Sequence, residues 1–218
     1  MLTAERLGSA RLGESVWVSL EIAALTAAIC LAAGLPAAYA FVRYRFRGSA
    51  AVEELFGLPV VFPAIVLGIA LLVLVSTTGV DLGLFQIVLA HSIVGLPFMI
   101  RNCAAALHGV DPALEEAATT LGASRARAFL EIVLPLIRGG VASGVILVFV
   151  LSFNEFTLSY FLYTVDVFPL SIWLFQQSNT SFSPAVFAVS SLIVCLNVAI
   201  IAVVDLLIGS RERSVTPK

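Results

Sequence analysis

Residues Glu116–Pro135 read EAATTLGASRARAFLEIVLP, a charged, helix-forming segment between long apolar runs. Asp111 and Pro112 precede it and are typical of a helix start, because Asp caps the first turn and Pro fits the first helical position. Helical spacing predicts one flat apolar face, formed by Leu114, Ala117, Ala118 and Leu121. Such a face favours a docking surface for a water-soluble partner, although an amphipathic loop lying on a membrane fits the same pattern.

The second half of the segment predicts a sharp bend and another short helix. Gly122 fits a helix C-cap that requires a positive φ, and Ser124 can cap the helix that follows. That helix is expected to bury Ala126, Phe129, Leu130 and Val133. Pro135 is expected to end it, so loop 111–135 is predicted to hold two short helices joined at Gly122.

The composition defines an integral membrane protein. Sixty per cent of the 218 residues are hydrophobic, 12% are charged, and the mean hydropathy is +1.06. A soluble domain of this length could not bury so much apolar surface. Backbone groups in lipid must be satisfied within the segment, so an all-α fold is expected. Five segments reach the length of about 20 residues that a span needs: Val16–Phe41, Leu55–Val75, Leu82–Ile100, Leu136–Leu162 and Ala185–Leu207.

The distribution of basic residues predicts the orientation. Arginines follow the first span, surround the loop and precede the C-terminus: Arg43, Arg45, Arg47, Arg101, Arg125, Arg127, Arg138, Arg211 and Arg213. The connections 76–81 and 163–184 contain no Lys or Arg. The positive-inside rule therefore predicts that loop 111–135 and the C-terminus are cytoplasmic.

The predicted organisation has three parts. An external, amphipathic segment covers residues 1–15, a transmembrane domain covers residues 16–208, and a cytoplasmic tail covers residues 209–218. The connection 163–184 contains an apolar stretch, Phe168–Phe175, that is too short to span and predicts a partial helix on the outer side.

Polar residues within the fourth predicted span are candidates for a transport path. Asn154, Glu155 and Ser159 give this helix a polar stripe. A charge at mid-bilayer costs ~2.5–3.5 kcal/mol, so Glu155 should face protein or a water-filled path. It could attract a cationic substrate, or it could make a polar contact between helices. His91 is expected to be a hydrogen-bonded packing residue, and no catalytic residue, metal site or cofactor is predicted.

Gly140 and Gly144 form a GxxxG pair at the start of the fourth predicted span. Small residues at this spacing let two helix backbones approach closely. The pair therefore predicts a helix contact, either within the chain or with a second subunit.

The loop resembles the EAA motif of ABC-importer permeases at every defining position. The matching residues are Glu116-Ala117-Ala118, then Gly122 after three residues, Ile132 after nine more, and Leu134-Pro135. In that family the loop is a coupling helix that fits into a cleft of the ATPase. The resemblance therefore implies that ATPase coupling involves Glu116, Ala117, Ala118, Gly122, Ile132, Leu134 and Pro135.

The resemblance extends over nearly the whole chain. Tyr44–Gly48 resembles the turn after the first core helix, especially in the spermidine/putrescine-type permeases. Ser152–Glu155 and Phe168–Leu170 resemble polyamine-type and related permeases. These relatives usually have six helices, so a helix before the first span is expected to be missing here. What remains would be the five-helix core with its cytoplasmic coupling helix.

The resemblance implies a permease subunit of a binding-protein-dependent ABC importer in the bacterial inner membrane. Expected partners are two ATPase subunits, a second permease, an external substrate-binding protein and the lipid bilayer, but no nucleic acid. The resemblance favours a polyamine or related small amine as substrate, although phosphonate-type and iron-type importers share much of the same pattern. The chain has no Walker A sequence, so it is not expected to hydrolyse ATP itself. The alternative is a self-contained secondary transporter with Glu155 as its ion or proton site.

Overall fold

The computed structural model describes residues 2–44, 47–79, 82–180 and 184–212, and this part of the chain is helical, with short connections. The α-helices are α1 (Leu2–Arg43), α2 (Ser49–Val61), α3 (Ala64–Thr78), α4 (Leu84–His108), α5 (Ala113–Thr120), α6 (Arg125–Ala128), α7 (Leu134–Phe153), α8 (Thr157–Leu162), α9 (Leu170–Thr180) and α10 (Pro184–Glu212). A π-turn, Phe129–Val133, connects α6 to α7. The predicted all-α class is confirmed.

Three helices in the described part are long and apolar enough to cross a membrane: Arg11–Arg43, Leu84–His108 and Arg125–Phe153. Ala51–Val61 and Ala64–Thr78 add a fourth span if the two are counted together, but they are bent by 98°. The bend lies at Phe62-Pro63. Phe62 is extended, with φ −72° and ψ 141°, because a following proline disfavours helical backbone. The second predicted span is therefore broken.

The fourth predicted span, Leu136–Leu162, is also not one helix. It ends at Phe153, and a non-helical joint, Asn154–Phe156, separates α7 from the short helix α8. The fifth predicted span lies within α10, whose apolar stretch is described over Val186–Ile200.

The core is formed by α1, α4 and α7, which pack closely through small residues. A Cβ atom on Gly140 would collide with the Cβ atom of Ala106, and one on Gly144 would lie 2.9 Å from Met99 Sδ. Both contacts are with α4 of the same chain. The Gly140/Gly144 pair therefore serves packing within the subunit, so a second subunit is not needed to explain it.

The predicted partial helix after the fourth span is α9. Its first residue is held by α1, because Leu170 N donates to Ser19 Oγ at 2.8 Å. Trp173, also in α9, is buried. At the N-terminus, α1 runs without interruption from Leu2 through the predicted segment 1–15. Arg45 and residues 213–218 of the predicted tail lie outside the described residues.

Candidate coupling loop and polar joint

The start and end of α5 have the predicted caps. Ala113 N donates to Asp111 Oδ1 at 2.9 Å. At the other end Gly122 has φ 93°, and two bonds close the last turn: Ala123 N to Ala118 O and Gly122 N to Thr119 O, both 3.0 Å. These are the two hydrogen bonds of a Schellman motif. The predicted bend at Gly122 is confirmed.

The helix after the bend is capped as predicted but does not end at Pro135. Ser124 Oγ accepts from Arg127 N at 3.2 Å, and the helix then continues through the π-turn into α7. Leu134 N donates to Phe129 O, five residues back. This wider turn accommodates Pro135, which lacks an N–H and whose ring crowds the preceding turn. The predicted start of the second helix at Ser124 is therefore confirmed, but its predicted end at Pro135 is wrong.

The π-turn also changes which residues face the core. The buried side of this helix is formed by Ala128, Val133 and half-buried Phe129. Ala126 and Leu130, which were expected to be buried, are exposed. The π-turn adds one residue to this turn, so Ala128 and Val133, five residues apart, share the buried face, and an ideal helical spacing across the turn gives the wrong face.

The motif residues divide into an exposed group and a packed group. The exposed residues are Glu116, Ala117, Gly122 and Pro135. The half-buried residues are Ala118, Ile132 and Leu134. The predicted apolar face of α5 is open: Leu121 is 89% and Leu114 is 45% exposed. The described part of the chain leaves this face largely uncovered.

A contact that the sequence analysis missed anchors α5 to α1. Arg43 Nε lies 2.7 Å from Glu115 Oε1, and Tyr39 Oη donates to Glu115 Oε2 at 2.6 Å. Arg43 Nη2 also donates to Val110 O at 2.9 Å. The pair is largely shielded, with side chains 11% and 14% exposed. The only signal in the sequence was an arginine at the end of the first span and a glutamate next to the motif.

A cavity of about 450 Å³ lies between the anchor and α6. Its lining carries both signs of charge and two tyrosines, and includes Tyr39, Arg43, Tyr44, Glu115, Glu116 and Arg125. Arg125 Nη1 donates to Tyr44 Oη at 3.3 Å, which adds a second polar link between the loop and the end of α1.

The joint between α7 and α8 is organised by Glu155. Its Oε2 accepts from Leu158 N at 2.8 Å and from Ser159 N at 3.4 Å, so the carboxylate caps α8. Its main-chain carbonyl accepts from Ser159 Oγ at 3.2 Å and from Ser171 Oγ at 3.1 Å. The joint is thus fixed to α9 as well as to α8. Glu155 therefore lies in a break between helices and not in the interior of one.

His91 connects both sides of this joint. Its Nδ1 lies 2.8 Å from Ser152 Oγ at the end of α7, and its Nε2 lies 3.1 Å from Ser159 Oγ in α8. Glu155 Oε2 is 3.7 Å from the same Nε2 atom. The ring is buried, as expected for a packing residue with hydrogen bonds.

The third predicted path residue, Asn154, has a different partner. Its side chain is exposed and forms two amide hydrogen bonds with Asn197 of α10, at 3.1 and 3.0 Å. The structure thus brings Glu155 and Ser159 together, and Asn154 lies beside them at the contact with α10.

Together, the long apolar helices, the exposed loop and the polar joint define a multi-pass helical membrane protein of the transporter class. A family model for the inner membrane component of binding-protein-dependent transport systems matches residues 30–213. The chain belongs to that family and is a permease subunit of an ABC importer in the inner membrane. Membership of this family argues against the self-contained secondary transporter.

The relatives of this chain include polyamine permeases and molybdenum permeases. The chain is 32% identical to the spermidine/putrescine permease PotC of Haemophilus influenzae, over 87% of this chain and 74% of that protein. It is 31% identical to PotC of Escherichia coli K12, over 91% and 75%. It is also 36% identical to the molybdenum permease ModB of E. coli K12, over 66% and 68%.

Solved ABC transporters share the fold at low sequence identity. The methionine transporter MetNI in an inward-facing conformation matches with a TM-score of 0.74 and 19% identity, covering 94% of this chain and 96% of that one. An amino acid transporter matches with a TM-score of 0.70 and 15% identity, covering 96% and 97%.

Proposed function

We propose that this permease imports a polyamine or a related small amine. The observation that carries the proposal is the similarity to PotC, which extends over about nine tenths of the chain. The joint adds a physical argument. Among the described residues, no Lys or Arg forms an ion pair with Glu155, whose side chain is 20% exposed. A carboxylate that lacks a cation attracts a cationic substrate and repels an oxyanion.

The path proposed for the amine passes the joint and uses Asn154, Glu155 and Ser159. Irregular backbone at membrane depth is tolerated where it lines a cavity or is buried in protein. Transporters place substrate sites at such broken helices. The break at Asn154–Phe156 therefore supports these three residues as path residues.

Energy is proposed to come from separate ATPase subunits that bind the exposed face of α5. The apolar area of this face comes from Leu114, Ala117 and Leu121. Its central residue, Ala117, has a short side chain, so another surface can approach closely. The remaining motif residues position this face: Gly122 ends α5, while Ile132, Leu134 and Pro135 belong to the rigid helix behind it. The ion pair between Arg43 and Glu115 then links α5 to α1.

The substrate is tested by uptake into proteoliposomes that hold the chain with its second permease, its ATPase and its binding protein. Uptake of radiolabelled spermidine, putrescine and molybdate is measured first with ATP inside the vesicles and then with ATP outside them. We expect ATP-dependent uptake of an amine and none of molybdate. ATP-dependent uptake of molybdate without uptake of either amine contradicts the proposal.

ATPase docking is tested by co-purification of the ATPase with affinity-tagged permease. Leu121→Arg places a charge on the exposed face of α5 and is expected to reduce ATPase recovery at least tenfold. Leu130→Arg is the matched control, because Leu130 is also exposed, at 58%, but lies beyond the Gly122 bend. Equal recovery from Leu121→Arg and wild type contradicts docking on this face.

A further inference from the structure

Three aromatic side chains form a cluster next to the polar joint. The ring centroids of Phe156, Tyr160 and Phe175 are 5.1–5.6 Å apart in every pairing. Tyr160 and Phe175 meet edge to face, with an interplanar angle of 82°. Tyr160 also contacts Phe161 and Tyr163, but Tyr160 and Phe175 remain 42% and 40% exposed.

The cluster is attached to the same joint that holds Glu155. Phe156 follows Glu155 directly, and Tyr160 lies in α8, whose N-terminus the carboxylate caps. Phe175 lies one turn beyond Ser171 in α9, and Ser171 Oγ donates to Glu155 O. Residues four apart share a helix face, so Phe175 lies on the side of α9 that meets the joint.

The surroundings of the cluster are polar, unlike a surface that faces lipid. Gln176 and Asn179 are exposed on α9 next to Phe175, and Asn154 is exposed at the joint. Asn154 is paired with Asn197, and Asn179 Nδ2 donates to Phe175 O. The exposed polar atoms of these amides would still lose hydration in hydrocarbon. Aromatic rings mixed with amides and a carboxylate are therefore better suited to a water-filled path than to the bilayer.

We infer that Phe156, Tyr160 and Phe175 form an aromatic subsite that binds an alkylammonium group of the substrate beside Glu155. A cation is attracted to the face of an aromatic ring within about 6 Å of its centroid. The carboxylate adds attraction of the same sign, and both features disfavour an oxyanion. The inference rests on the proposed amine substrate and assigns the residues that select for it.

The test measures spermidine binding to the assembled permease–ATPase complex in lipid nanodiscs, without the binding protein. Tyr160→Leu and Phe175→Leu keep apolar volume but remove a ring, and each is expected to raise the Kd about 2- to 30-fold. Tyr160→Phe keeps the ring face and should bind like wild type. Phe62→Leu is the control, because Phe62 is an exposed aromatic at the α2–α3 bend. Recovery of assembled complex is compared for all variants.

The outcomes separate the subsite from the proposed function. Unchanged spermidine Kd in both leucine variants overturns the subsite, even if the wild-type complex imports spermidine. A loss in Tyr160→Phe equal to that in Tyr160→Leu also overturns it, because the ring is still present. Import of molybdate without import of an amine by the wild-type complex overturns the proposed function and the subsite with it.

Discussion

Arg43 and Glu115 form a shielded ion pair between the last turn of α1 and the first turn of α5, with Nε and Oε1 2.7 Å apart. Tyr39 donates to the second oxygen of the same carboxylate. The pair holds the proposed docking helix at a fixed position relative to the first span, and its strength can be measured.

A double-mutant cycle with Arg43→Gln and Glu115→Gln is expected to give a coupling energy of about 0.5–3 kcal/mol. Each single variant leaves a charge without its partner, so the double variant should be less unstable than the sum of the two. Thermal unfolding of the detergent-solubilised complex measures the effect. Arg127 and Glu131 are the control, because this i, i+4 pair is exposed and should give no more than about 0.5 kcal/mol. Additive behaviour at Arg43 and Glu115 contradicts the anchor.

Gly122→Ala is expected to uncouple transport from ATP hydrolysis. The position has φ 93°, which costs a residue with a side chain roughly 1–2 kcal/mol. The added methyl meets no atom within 4 Å, so the penalty comes from the backbone alone. Gly139→Ala is the control, since its methyl also meets nothing and its backbone is helical. Stimulation of the ATPase by the binding protein should fall in the first variant only.

Gly140→Ala is expected to destabilise the subunit, although alanine favours helix by about 1 kcal/mol. Its methyl would collide with Ala106 Cβ in α4, and overpacking costs about 1–3 kcal/mol. Ala106→Gly should restore part of the loss by removing the colliding atom. Unfolding temperatures of the two single variants and the double variant check this. No rescue in the double variant would contradict direct packing of α7 on α4.

His91→Leu is expected to destabilise the joint because Ser152 Oγ loses its ring partner, while Ser159 Oγ keeps its hydrogen bond to Glu155 O. Each buried polar group left unsatisfied costs about 1–3 kcal/mol. His108→Leu is the matched control, because His108 is exposed at the end of α4. Hydrogen–deuterium exchange of α8 should increase in His91→Leu alone. Equal exchange in both variants would show that His91 does not fix the joint.

The local features of the loop could be predicted because their causes are close in sequence. The caps made by Asp111 and Ser124 and the bend at Gly122 each depend on a few neighbouring residues. The anchor could not be predicted in this way, because Arg43 and Glu115 are 72 positions apart. Only the packing of α1 beside the loop brings them together.

The prediction that the fourth span is one unbroken helix was wrong for a different reason. Asn154 and Glu155 interrupt the apolar run only briefly, so length and mean hydropathy over Leu136–Leu162 favour one helix there. The break is stabilised by polar contacts that hydropathy does not report, above all the carboxylate of Glu155 at the start of α8. The π-turn was not predicted either, because the 3.6-residue period assumes a regular helix. That period places Leu130 on the buried face.

The π-turn at Phe129–Val133 sets the rotational phase of a 29-residue rod, Arg125–Phe153. Each residue turns a regular helix by about 100°. Deleting one residue from the π-turn would keep the helix continuous but would rotate loop 111–135 by about that angle relative to the joint at Asn154. The π-turn therefore sets the rotational angle between loop 111–135 and the joint as well as their distance along the helix.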